Sequence, residues 1–165
     1  MKNFNINVDN LSTEEKQQLM TLINKANRGK RWRAKNDEIY YFINYCNKVE
    51  SWSESNHKAD KALFEVGNYF KTEEEAEFEL NKRLVYQELK DYALEHNEED
   101  IDWSDSKKCK WFITYSHSKF GGVFTDFHSD CQGLGQIYFN SQKIACDAIQ
   151  SVGEDRIKKY LFGVN

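Results

Sequence analysis

The chain has no proline, where an average usage of about 5% would place roughly eight in 165 residues. Its turns must therefore rely on Gly, Asn, Asp and Ser, and no proline-rich linker divides it. The four cysteines, Cys46, Cys109, Cys131 and Cys146, stand far apart with no CxxC pair. That spacing argues against a disulfide framework and predicts separate thiols, buried or inert, in a reducing compartment. No apolar run approaches the roughly 18 residues that span a bilayer, and MKNFNINVDN lacks the apolar stretch of a secretory signal, so a cytoplasmic protein is expected. Glycine clusters only in FGGVF and QGLGQ, neither of which is a GxxxxGKS/T or GxGxxG phosphate cradle. Both read as turns. With no GxSxG or HExxH either, the residues name no catalytic group and call for no cofactor or metal.

What the chain has is aromatics and charge. Its 11 Phe, 9 Tyr and 4 Trp can each bury about 150–250 Å² at most, enough for a core despite a mean hydropathy of -0.83. The net charge of -4 hides an uneven distribution. Residues 1–72 carry 12 bases and 9 acids, residues 73–105 carry 3 and 13, and residues 106–165 carry 8 and 5. An acidic block lies between two mildly basic ends, which argues against a protein that coats nucleic acid.

Two segments repeat: YFKTEEEA at 69–76 and YFNSQKIA at 138–145. Phe70, Thr72, Ala76 and Leu80 match Phe139, Ser141, Ala145 and Ile149 at an offset of 69. Upstream, Trp32, Tyr40 and Phe42 match Trp103, Trp111 and Ile113 at 71, and one two-residue loop change reconciles the registers. The expected class is α+β: two units of antiparallel β-meander followed by a helix (31–97 and 103–165), after an N-terminal strand and helix (1–30), in one compact body.

Phe4, Ile6 and Val8 alternate as in a half-buried strand, and Ser12 with Glu15 forms a capping box for a helix over 12–27. IYYFINY and NKVESW read as a hairpin and ALFEVGNYF as a further extended stretch; Thr72 with Glu75 then opens a long helix to about 96. In the second unit KWFITYSHSKF and GVFTDFH flank Gly121-Gly122 as a two-residue turn, GQIYF is a third strand, and helices follow Ser141 and Gly153.

Three clusters could carry function. The turn at Gly121-Gly122 sets Phe120 against Val123, His117 against Asp126 and Tyr115 against His128, a quartet suited to acid-base work or small-molecule binding. The bland reading of that hairpin is a solvated sheet face, and His128 with Cys131 forms only one close pair of potential zinc ligands. Arg28, Lys30, Arg31 and Arg33 around Trp32 could grip a phosphate backbone, or could serve the C-terminus of the preceding helix. Glu73, Glu74, Glu75 and Glu77 open the long helix, and Glu98, Glu99, Asp100 and Asp102 follow it. Such runs are usually just solvated, but on a rigid domain they can imitate nucleic-acid phosphates and occupy a partner's basic groove.

NLSTEEKQQLMTLINKAN, EIYYFINYCNKVESW, GNYFKTEEEAE and AIQSVGEDRIKKYLFG together resemble a group of small uncharacterised proteins encoded by phages and prophages of low-GC Gram-positive bacteria. The resemblance spans most of the chain and assigns no site residue. It implies a non-enzymatic inhibitor of host machinery, of anti-CRISPR or other anti-defence type. The partner would be a host nuclease or CRISPR effector, with nucleic acid as the alternative.

Overall fold

The computed structural model describes residues 8, 11–27, 31–118 and 121–164, the side chains of 24–27 excepted. The strand expected over Phe4, Ile6 and Val8 lies outside them, Val8 apart. The chain divides into two compact units, Met1–Arg33 and Ala34–Asn165; both repeats belong to the second, apart from residues 31–33 with Trp32, which fall in the first. In the first unit α1 (Thr13–Asn27) starts on the expected capping box. Ser12 Oγ accepts from the Glu15 amide at 3.3 Å, and the Glu15 carboxylate accepts from the Ser12 amide at 2.8 Å.

The second unit is α+β and built twice on one plan. An antiparallel hairpin, β1 (Ile39–Ile43) and β2 (Val49–Ser53), precedes α2 (Lys58–Glu65) and α3 (Glu73–His96). A second hairpin, β3 (Lys110–Tyr115) and β4 (Val123–His128), precedes α4 (Gln142–Val152) and α5 (Glu154–Phe162). The hydroxyls of Thr72 and Ser141 cap α3 and α4, accepting from the Glu75 and Ile144 amides, and Ala76 and Ala145 four residues on are both fully buried. The offset of 69 therefore holds at the helix starts. In the strands the structure corrects the expected 71 to 70: Tyr41 bridges Phe70 as Trp111 bridges Phe139, and buried Phe42 corresponds to buried Phe112. Aromatic-for-aromatic matching was one residue out, which in a strand exchanges the two faces.

Neither meander has its third strand. GQIYF contributes one bridge, in which Phe139 and Trp111 exchange backbone hydrogen bonds at 2.8 and 3.0 Å. ALFEVGNYF is not a strand: Ala62–Glu65 are the end of α2, and only Phe70 bridges β1. His57 caps α2, Gly67 at φ 75° ends it, and the Asn68 amide returns to the Leu63 carbonyl at 2.9 Å. The β-forming aromatics of that segment were outweighed by the cap and the Ala-Leu content of the turn. Asparagine amides stand in for the missing ladder. Asn68 pairs with both the N–H and the C=O of Ile43, and Asn97, just past α3, accepts from the Asn140 amide while donating to the Tyr138 carbonyl.

The halves join through α3. Ala76 near its start is buried in the first half, while Val85, Leu89 and Ala93 enter a core with Phe139, Ala148 and Ile157 of the second. Arg156 on α5 clamps Glu88 on α3 with two hydrogen bonds, 2.6 and 2.7 Å, which lower the Glu88 pKa.

The first half buries two carboxylates. Glu54 and Asp60 are 1% and 2% exposed, under the stacked rings of Tyr40 and Tyr69. Tyr69 donates its hydroxyl to Glu54 at 2.7 Å, and Tyr40 donates to Asp60 at 2.9 Å. Asp60 also accepts from the amides of Ser55 and His57. Burial pushes the Asp60 pKa up, but the hydrogen bonds from Ser55, Tyr40 and His57 outweigh it and hold the group at about 2. Burial, and then Asp60 itself, push the Tyr40 phenol far above its ordinary value.

With a folded pKa below the unfolded value of about 3.9, Asp60 contributes stability above roughly pH 4 and loses it as pH falls toward 2. Acid denaturation followed by circular dichroism should show a loss across that window, smaller in Asp60→Asn. Asp60→Ala strands four donors, the hydroxyls of Tyr40 and Ser55 and the amides of Ser55 and His57, and should cost about 3 kcal/mol at neutral pH, seen in thermal melts as a Tm lower by roughly 6–12 °C.

Candidate protein-binding surface

The helix dipole explains why acids can crowd the start of α3, since its unpaired amides favour negative charge. Glu75 is partly used in capping: its carboxylate accepts from the Lys71 amide at 2.9 Å, not from Thr72 as the capping-box reading implied. Its neighbours point outward. At about 100° per residue, Glu73, Glu74 and Glu77 fall on one arc of the helix, away from buried Ala76. All four glutamates are exposed, and among the described residues none forms an ion pair. Hydrogen bonds from its own amide and from Thr72 lower the Glu74 pKa, so its charge persists into mildly acidic solution. Further along, Glu79 pairs with Arg83 at 3.2 Å and Glu88 with Arg156.

The second acidic group, Glu98, Glu99, Asp100 and Asp102, is also exposed. Glu99 is bound by Lys108, raising the lysine pKa, and Asp102 accepts from the Ser104 hydroxyl and amide, which lower its own. The 24 residues of α3 separate the two groups by roughly 36 Å. The acids read together in sequence thus form two patches.

The other clusters fare differently. Arg28 and Lys30 lie outside the described residues, while Arg31, Trp32 and Arg33 all hold interactions within the chain. In the second hairpin Phe112 faces Asp126, Lys110 faces His128 and Tyr115 faces Val123. This departs by five residues from the expected register, whose pivot Phe120 lies outside the described residues, and places His128 about 17 Å along the strand from Tyr115. His117 packs edge-on against Tyr115 in the connection, His128 stacks on Phe112, and exposed Asp126 accepts from the Phe127 amide. The acid-base quartet is not assembled. Gly121 is needed for a different reason than a two-residue turn: a Cβ there would sit 2.1 Å from the Ser116 carbonyl oxygen.

All four cysteines are free, as the spacing predicted, with Cys46, Cys131 and Cys146 exposed and Cys109 half-buried. Among the described residues no cluster of His, Cys, Asp and Glu could hold a metal, and no helix is long and apolar enough to cross a membrane. No family model, curated protein or solved structure matches the chain.

Sequence reasoning missed the groove beside the second patch, a depression of about 640 Å³ between the last turns of α3, residues 98–101 and the Gln136-Ile137 segment. It also missed buried Lys110, whose ammonium donates to the carbonyls of Asp105 and Ser129 beneath Trp103 and anchors that loop. No linear pattern marks either feature.

Glu73 and Glu77, four residues apart, repel each other at a cost in stability. Glu77→Lys should therefore raise Tm slightly in a thermal melt, as expected of an acidic face kept for a purpose other than folding.

Proposed function

We propose that this chain is a phage-encoded, non-enzymatic accessory protein that binds and inhibits a host nucleic-acid-handling or defence protein through its acidic surface. The observation that carries the reading is the start of α3, where four exposed carboxylates crowd within five residues and lack cations among the described residues, while Glu79 and Glu88 further along have them. A rigid helix presenting repelling charges without cationic partners among the described residues is matched to a basic partner. Such a face enters a groove built for phosphates, and its field accelerates the encounter. The phage origin rests on the sequence resemblance, and a nuclease or CRISPR effector of a low-GC Gram-positive host is the partner class that unites it with the charge.

The test is binding to a panel of such effectors at low and high salt. A complex should form that weakens steeply with salt, reduces nuclease activity, and is lost in the triple variant Glu73→Lys, Glu74→Lys, Glu77→Lys. Complexes that survive the triple reversal unchanged would refute the acidic-surface reading.

A further inference from the structure

Two depressions share walls along one side of α3, and a third adjoins them past its C-terminus. The central one, about 640 Å³, shares Glu98 to Ile101 with a pocket of about 280 Å³ at the acidic loop, and Tyr86, Gln136 and Ile137 with another of about 380 Å³ toward Leu161 and Phe162. Together they form one groove, following α3 from Lys82 to Asn97 for roughly 22 Å, about four helical turns. The hydroxyl of Tyr86 donates to the Gly135 carbonyl at 3.1 Å and ties the far wall to α3.

The floor is apolar and incompletely covered. Ala93, Ile101 and Ile137 line it, Leu94 at its edge is 83% exposed, and Leu134 at the far end is fully exposed. Both side chains border the groove with their aliphatic ends open to water. The ends differ in charge. Glu98 and Asp100, at the acidic end, make no ion pair among the described residues, whereas Lys82 at the other end already pairs with Glu79.

We infer that this groove is the seat of an amphipathic helical segment of a partner protein, apolar along about four turns and rich in lysine or arginine at the end that meets Glu98 and Asp100. Charge complementarity fixes the occupant: the acidic end repels nucleic acid and anionic lipid, and the length exceeds a small molecule. An apolar stripe satisfies Leu94 and Leu134, and a basic terminus satisfies the loop carboxylates. The inference rests on the protein-binding function proposed above and adds to it a second contact with a stated partner chemistry, which begins roughly 14 Å from the start of α3 and has its acidic end roughly 36 Å away.

The probes are synthetic peptides of about fifteen residues: one with leucines at i, i+3, i+4 and i+7 and a lysine cluster at one end, one ending in glutamates, and one with the leucines scrambled. Binding is followed by fluorescence anisotropy and by amide shifts of the isotope-labelled protein. The lysine-ended peptide should bind and shift Leu94, Ile101 and Ile137. Leu94→Glu and Leu134→Glu, at exposed positions the fold tolerates, should each weaken it by about tenfold, as should either control sequence. Shifts absent from the groove, or unchanged affinity in both leucine variants, would overturn the inference. The triple reversal at Glu73, Glu74 and Glu77 separates the two readings. Peptide binding in the groove with effector complexes indifferent to the reversal leaves the groove and removes the acidic helix start; the opposite pair of results does the reverse.

Discussion

A two-stranded hairpin buries one face only if something larger lies on it, and this constraint organises residues 34–165. Each copy answers it with a capped helix reached through a single bridging aromatic, Phe70 or Phe139. The solution is asymmetric because α3 is twice as long as α4 and has two duties. Its start belongs to the first hairpin, and its middle supplies Val85, Leu89 and Ala93 to the core of the second copy. The duplicated halves thus share a helix more than a core. The clamp of Arg156 on Glu88 and the Asn97 link to residues 138–140 hold the arrangement together.

The divergence between the copies follows from this division of labour. Because the second copy has the larger apolar core, the first can bury two carboxylates under Tyr40 and Tyr69, where hydrogen bonds compensate desolvation. The matching helix starts differ in the same sense: TEEEAE carries four glutamates and SQKIAC none. Both cap their helices and both bury the same alanine, so folding does not require the acids. What folding leaves unexplained is where the proposed binding function is placed.

Elements with local signatures were legible in the sequence. Ser12-Glu15, Thr72 and Ser141 each announced a helix that formed, and the aromatic and β-branched run IYYFI announced a strand. Failures came where a distant contact decides. Helix α2 hid because its cap is a histidine, a residue outside the usual N-cap set, and because Asp60 is fixed by Tyr40 twenty residues away. The Gly121-Gly122 pair suggested a tight turn, yet Gly121 serves a close approach to Ser116, and the five-residue error dispersed a proposed site. For the acidic candidates, identity and exposure could be read from sequence, but their division into two patches depended on the length of α3. The groove beside the second patch has Leu94 and Ile137 among its lining residues, and no spacing rule encodes it.

The dependence of both copies on α3 is tested most directly by native-state hydrogen exchange across residues 34–165. The account predicts one shared highest opening free energy for the amides of α3 between Ala76 and Ala93, the β1 strand and the β3 strand, since each loses its support when α3 leaves. If β1 and the first turns of α3 opened at several kcal/mol less while residues 82–96 and β3 stayed protected, the two copies would be independent and the shared-helix account would be contradicted.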